Sequence, residues 1–376
     1  MAWPWGFAKS DAVPLPQHRG DTDRPCPLSL PATESNLNKE SAVSIRTMRL
    51  LKSAGAVAAI GLLVAGCSAP TASDHAGSTS SPPPPSSPQR TQMVTFTSTM
   101  AALTLPAAVS RPTVFASGGR LLVVGGLTAA DRTTQAILRV DLAGGSVQPA
   151  GRLPVPVHDA AGAVVNGRDL LFGGGSTAVT SAVQDVTPGT SPRVISHLPQ
   201  PRADLVAISD GKAGYVLGGF NGTQGSTTIL RTRDGRTFTV AGTLPVSVRY
   251  PAVALSGGSI WLFGGEHAGQ QVTDVQRVDL STGQGSVAGK LPRPLAHAGA
   301  FTLGGTILVA GGRTGSTPTD IVLRFDPATV RFTTAGHLPD ARSDFGVAVV
   351  GGTAYLVGGE NPKPVNTVIQ VRFRTG

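Results

Sequence analysis

Cysteine is almost missing from this chain: it occurs at Cys26 and Cys67 and nowhere beyond. Everything after position 67 therefore lacks a disulfide framework, a thiolate metal site and a cysteine nucleophile. Charge is sparse at 14% and aromatics sparser at 5%. Beyond residue 67 lysine occurs three times against 21 arginines, and glutamate only twice, at Glu266 and Glu360. The formal charge of +9 would draw anionic partners, but no basic run or basic helix is present to track a phosphate backbone, so nucleic acid is not expected as a partner.

What the chain has in abundance is glycine and proline, 48 and 30 residues, and they are placed periodically. An apolar run closed by two glycines occurs six times, as Leu122 to Gly126, Leu170 to Gly174, Tyr215 to Gly219, Trp261 to Gly265, Leu308 to Gly312 and Tyr355 to Gly359. The second glycines lie 48, 45, 46, 47 and 47 residues apart. A Leu-Pro pair keeps the same five spacings, with its prolines at Pro106, Pro154, Pro199, Pro245, Pro292 and Pro339. Two markers sharing one period define a repeat protein.

Each repeat parses into four short strands. In the fourth, the pattern predicts Tyr250 to Leu255, Ser259 to Gly265, Thr273 to Leu280 and Gln284 to Gly289. Second strands are continuously apolar, as burial on both faces requires. Turn pairs such as Asn166-Gly167, Gly257-Gly258 and Asp234-Gly235 separate the strands. Four antiparallel strands per 45–48 residues make one propeller blade each, giving an all-β, six-bladed β-propeller over 92–376. The sixth repeat ends after its third strand, Val365 to Arg374, while a surplus strand, Gln92 to Ser98, precedes the first Leu-Pro. Pairing the two closes the ring and removes exposed edges.

Ahead of the repeats, residues from Met48 have the parts of a bacterial export signal: Arg49 and Lys52, an apolar stretch from Ala54 to Val64, then Leu63-Val64-Ala65-Gly66-Cys67, which resembles a lipobox. The reading is a signal over 48–67 with lipidation at Cys67, placing the protein outside the cytoplasmic membrane, in the cell envelope, as a lipid-anchored chain. Such a signal works at a chain's start, so 1–47 reads as an upstream extension of the frame, the alternative being a disordered tail. Residues 68–91, rich in Ser and Pro, read as a disordered linker.

The repeats resemble kelch repeats, whose blades end the second strand in a double glycine after apolar residues. Val140-Asp141-Leu142, Val278-Asp279-Leu280 and Phe325-Asp326-Pro327 resemble the kelch Tyr-Asp-Pro stretch, and residues such as Val147 or Phe332 stand where kelch blades carry a fourth-strand Trp. The resemblance covers about 92–376 and implies a six-bladed propeller. Galactose-oxidase-like kelch enzymes need a Tyr–Cys cross-link with copper, which a propeller without cysteine excludes. Sialidases carry Asp-boxes, and Thr232 to Phe238 matches one imperfectly and once. N-acetylneuraminate epimerases are six-bladed kelch proteins, which makes a sugar epimerase or mutarotase the enzymatic alternative.

Candidate ligand residues follow from the repeat. Loops after the second strand and loops leading into the first open on one face around the channel. Residues directly after the diglycines are Leu127, Gly175, Phe220, Glu266, Arg313 and Glu360, so both glutamates hold one equivalent position. Beyond each Leu-Pro lie Arg111, His158 with Asp159, Arg202 with Asp204, Arg249 with Tyr250, His297, and Arg342 with Asp344. These two rings can bind a polar, anionic molecule, since Arg pairs bidentately with carboxylates; the competing reading is salt bridging between blades. The expectation is a monomeric binding module for an envelope protein or glycan, with no cofactor and no metal.

Overall fold

The computed structural model describes residues 95–374; the segments at 1–47, 48–67 and 68–91, with Cys67, lie outside the described residues. All regular structure among the described residues is β, in six four-stranded antiparallel sheets and three short two-stranded ones. Blade 1 contains Thr113–Ser117, Arg120–Val124, Ala136–Asp141 and Ser146–Arg152, and blades 2 to 5 repeat this order. Blade 6 joins Gly346–Val350, Thr353–Val357 and Thr367–Arg374 to the N-terminal strand Thr95–Thr104. Thr95 pairs with Arg374 and Thr104 with Thr367, so the ring closes by the strand exchange that the sequence implies. First strands touch one another around the whole circle, the sixth meeting the first, and thereby surround the axis.

Strand limits in blade 4 are Ala252–Ser256, Ser259–Phe263, Asp274–Asp279 and Gly285–Lys290. The first strand begins two residues later than the apolar pattern implies because Tyr250 has φ +52° and Pro251 follows it, a combination outside extended geometry. Turns between first and second strands use Gly118-Gly119, Asn166-Gly167, Gly257-Gly258, Gly304-Gly305 and Gly351-Gly352, all at positive φ, as tight hairpins require.

The core is not one mass but six wedges, each between neighbouring blades. Between blades 4 and 5, for instance, Trp261, Phe263 and Val275 meet Ile307, Val309 and Phe325, with Trp261 and Phe325 edge-on at 4.9 Å. Every Leu of the Leu-Pro pairs is buried in such a wedge, at 1–4% exposure, and its N–H donates to a carbonyl just ahead of a third strand, as Leu291 does to Thr273. That double duty explains why the pair recurs in step with the glycines.

The diglycines act as clasps between blades. In each blade the second glycine's N–H donates to a carbonyl of the next blade, Gly126 to Val157, Gly174 to Arg202, Gly219 to Val248, Gly265 to Leu295, Gly312 to Arg342 and Gly359 to Val109, at 2.7–2.9 Å. The first glycine, at φ +59° to +63°, lies so close that a Cβ would stand 2.1–2.6 Å from that same carbonyl oxygen.

One wedge carries a buried acid. Asp169 occupies a second-strand position filled by Leu121, Ile260 and Ile307 in other blades; it is 4% exposed and its Oδ2 has no partner. Burial and the neighbouring Asp185 raise its pKa to about 6. A raised carboxyl contributes stability that is present below its ordinary pKa near 4 and lost as pH climbs through about 6. Asp169→Asn should therefore unfold later than the wild type at pH 7.5, by the equivalent of about 1–3 kcal/mol, with the gap closing at pH 4; thermal melts across pH check this.

Candidate functional site

Five residues after each Leu-Pro proline stands a non-glycine residue in left-handed geometry: Arg111, Asp159, Asp204, Tyr250, His297 and Asp344, with φ between +52° and +61°. These six form a ring around the axis at the start of the first strands. Asp204 N–H donates to Asp159 C=O, Tyr250 to Asp204, His297 to Tyr250, Asp344 to His297 and Arg111 to Asp344, at 2.6–3.1 Å. Five of the six are thus locked to the preceding blade's residue by their own backbone. Left-handed geometry outside glycine costs about 1–3 kcal/mol per residue and is held only by surrounding structure. Asp and His tolerate it better than most, and four of the six are Asp or His.

The ring's side chains fill the axis with interlocked charges. Arg111 Nη1 is 3.1 Å from Asp159, and its Nε is 3.3 Å from Asp344 and 3.7 Å from Glu360. It reaches across the ring to within 5.9 Å of the Tyr250 centroid. Tyr250 in turn stacks on His297 at 3.9 Å. His297 Nδ1 lies 2.6 Å from Asp344, and its Nε2 lies 3.2 Å from Glu266 and 2.9 Å from Arg313.

Above this floor sits a second tier, the residues directly after the diglycines. Glu266 pairs by backbone with Arg249, Arg313 with Ala296 and Glu360 with Ser343, which hangs each over the ring. Their side chains keep partial exposure: Arg249 33%, Glu266 23%, Arg313 21% and Glu360 15%. Arg249 is held by Asp204 at 2.6 Å and lies over Phe220 at 4.7 Å. Arg313 bridges Asp344 at 3.4 Å and Glu360 at 3.6 Å. Blades 1 to 3 instead place the buried Leu127 and Gly175 and the partly exposed Phe220 there, so the charged side chains at this position all come from blades 4 to 6.

The floor shifts protonation in both directions. Burial opposes a charge on His297, but the Asp344 carboxylate and the Glu266 hydrogen bond outweigh it and raise the imidazole pKa. Burial likewise works against ionised Asp344, yet His297, Arg111 and Arg313 hold it well below the usual carboxylate range. Glu266 is lowered against its burial by His297, Arg249 and Arg313. Glu360 is raised, by burial and by Asp344. Asp204 is pushed up to about 6 by burial and Asp159. In its protonated form His297 donates to Asp344 and Glu266 at once.

The structure brings together Arg111, Arg249, Tyr250, Glu266, His297, Arg313 and Glu360 at the mouth. It does not bring Arg202 or Arg342 there. Both point into their own blade, 3% and 0% exposed: Arg202 donates to Thr228 O at 2.9 Å and Arg342 to Gly358 O at 2.8 Å. They stand where other blades place Val109, Val157, Val248 and Leu295. His158 precedes its ring residue and hydrogen-bonds Thr133 at 2.8 Å, with burial lowering its pKa. In three blades the acids Asp159, Asp204 and Asp344 are the ring members, beside the His or Arg that the residue types favoured. Their constant distance of five from the Leu-Pro proline was the available signal. Among the described residues no group of three or more His, Cys, Asp or Glu is arranged to hold a metal ion.

Arg342 and Arg202 differ in one respect that yields a prediction. Arg342 has a carboxylate, Asp340 at 2.7 Å, while the matching position in blade 3 is the exposed Gln200, and burial pushes Arg202 down to about 10. Gln200→Asp should raise the melting temperature by the equivalent of about 1 kcal/mol, the lower end for a hydrogen bond to a charged group since the acid is partly solvated. Asp340→Asn should lower it.

Comparison with known proteins agrees with the fold. The Kelch motif model matches residues 294–336, which is blade 5 from its Leu-Pro linker to its last strand. A solved structure described as "Structure of YjhT" superposes with a TM-score of 0.63 at 18% identity, over 73% of this chain and 100% of that one, a likeness of fold. No curated protein matches the sequence. Kelch propellers commonly mediate protein interactions. The chain is a six-bladed β-propeller that carries a Kelch motif.

Proposed function

We propose that the propeller is a binding module that takes an envelope protein or cell-envelope glycan at its charged mouth, held at the outer face of the cytoplasmic membrane through a lipid on Cys67. The observation that carries this reading is the partly exposed set Arg249, Glu266, Arg313 and Glu360, mounted where the loops of blades 4 to 6 meet. The floor beneath fixes their geometry, so a partner meets oriented charges of both signs at little ordering cost. Phe220, stacked on Arg249, adds an apolar anchor beside them.

The test is capture from cell-envelope extract by the wild-type chain and by the double variant Arg249→Gln/Glu266→Gln, with matched thermal melts. Material retained by the first and lost by the second supports the reading; identical capture sinks it. Mass analysis of the natural protein's N-terminus tests the anchor, where a diacylglyceryl cysteine at position 67 is expected.

A second reading is favoured by one observation: Glu360 is raised while Glu266 is lowered at the same mouth. Two acids with separated pKa values can serve as proton donor and acceptor, which would suit an epimerase or mutarotase acting on a sugar. Exchange at the anomeric or epimeric carbon, lost in Glu360→Gln, would establish it, and no exchange with neutral or acidic sugars would leave binding alone.

A further inference from the structure

The face opposite the mouth carries the turns between first and second strands and between third and fourth strands, and in blade 3 it is basic. Lys212, Arg231, Arg233 and Arg236 cluster at this end of the blade, faced by two carboxylates, Asp210 and Asp234. Both acids are engaged by turn amides: Asp210 accepts from the N–H groups of Lys212 and Ala213 at 2.9 and 2.7 Å, and Asp234 from those of Arg236 and Thr237, both at 2.8 Å. Lys212, Arg233 and Arg236 are exposed, and none has a carboxylate within 4.0 Å among the described residues.

Blade 2 holds the two turns side by side. Asn166 donates its N–H to Gly211 O at 3.3 Å and its side-chain amide to Arg233 O at 2.8 Å, while Arg168 donates to Asp234 O at 3.0 Å. A shallow cavity opens at this end, lined by Arg231, Thr232, Arg233, Asp234, Thr237 and Thr239. Within it Arg231 Nε is buried and has no hydrogen-bond partner. The Thr232 and Thr237 hydroxyls donate to Asp234 at 3.2 and 3.3 Å, so the donors offered to an oxyanion such as phosphate are the guanidinium N–H groups of Arg231 and Arg233.

The N-terminal strand joins the propeller on this same face. Thr95 pairs with Arg374, beyond the pair of Thr353 with Arg372 that borders the Gly351-Gly352 turn. Thr95, the first described residue, thus lies at the turn-bearing face, where the chain enters the propeller. We infer that the basic end of blade 3 docks on anionic lipid headgroups, with a headgroup phosphate in the cavity at Arg231, leaving the charged mouth turned outward to its partner. The choice of lipid as the anion rests on the Cys67 anchor proposed above.

The test uses the full chain carrying Cys67→Ser, so that no lipid is attached, with vesicles of phosphatidylcholine alone or mixed with phosphatidylglycerol. Each exposed cation near an anionic surface contributes several-fold in affinity, so three together give roughly a hundredfold. The chain should bind the phosphatidylglycerol vesicles at least about tenfold more tightly than the neutral ones, with the advantage fading as salt rises. Lys212→Gln/Arg233→Gln/Arg236→Gln should abolish that preference without changing the melting temperature. Arg132→Gln/Arg293→Gln/Lys363→Gln, which removes equal charge from exposed positions on the mouth face, should keep it. Equal binding to both vesicles, or equal loss in both triple variants, overturns the docking proposal. So does saturable binding of free inorganic phosphate with no preference for phosphatidylglycerol vesicles, which would mark a site for a soluble anion. The anchor is judged separately by mass at Cys67: an unmodified cysteine there with phosphatidylglycerol preference intact removes the tether and keeps the face.

Discussion

Asp344→Asn should destabilise the propeller by about 3–5 kcal/mol, the cost of removing one partner from a buried ion network. The carboxylate side chain is 1% exposed, 2.6 Å from His297, 3.3 Å from Arg111 and 3.4 Å from Arg313. Its loss leaves three cationic groups facing one another around the axis, with Asp159, Glu266 and Glu360 only partly able to compensate. The pH dependence gives a signature that a packing defect would lack. In the wild type His297 is raised, so its contribution is present below its ordinary pKa near 6.5 and lost as pH climbs through the raised value. Without Asp344 the imidazole has lost its main anion, and the variant's deficit should deepen as pH falls through that raised value. Denaturant titrations at pH 5.5 and 8 check this; a deficit that is equal at both, or absent, contradicts the assignment of Asp344 as the counterion of the floor.

Gly264→Ala should cost about 3–5 kcal/mol, the sum of an overpacking term and a weakened clasp. The added Cβ would stand 2.1 Å from Leu295 O, the oxygen that accepts from Gly265 N–H at 2.8 Å, so either the backbone shifts or blades 4 and 5 separate. Gly258→Ala is the control. Gly258 also has positive φ, +71°, but nothing lies within 4 Å of its Cβ position. It should lose only the conformational term of about 1 kcal/mol. Equal losses for the two variants would reduce the diglycine to a backbone turn and remove its role in joining blades.

Much of this architecture was legible before any coordinates because each blade repeats the same physical demands. A doubly buried second strand must be apolar, a hairpin needs Gly or Asn at positive φ, and a propeller must hide its edges; Leu308 to Gly312, Asn166-Gly167 and the surplus N-terminal strand state these in residues. The site was legible in position and less so in membership. Glu266 and Glu360 stood out because the only two glutamates beyond residue 67 share the position after a diglycine, and Arg313 holds the same position between them. Arg202 and Arg342 were drawn in by residue type alone, and nothing local distinguishes an arginine that faces a channel from one that replaces Val248 inside a blade. Asp159, Asp204 and Asp344 were overshadowed for the converse reason. Their importance comes from left-handed backbone and from partners 45–48 residues away, and a short acidic side chain in a loop advertises neither. The basic end of blade 3 shows the same limit, since Lys212 and Arg233 come together through the pairing of Gly214 with Thr232, with Asn166 of the neighbouring blade bonding both turns.

The role of the mouth is tested most directly by site-specific photo-crosslinking in envelope extract. A photoreactive residue replaces Gln224 or Pro362, exposed in mouth loops of blades 3 and 6, or Arg331, exposed at the start of the fourth strand of blade 5 on the opposite face. The account predicts one adduct shared by positions 224 and 362, absent at 331, and lost when Arg249→Gln/Glu266→Gln is added. An adduct that forms at 331 and not at the mouth, or that persists in the double variant, would contradict it.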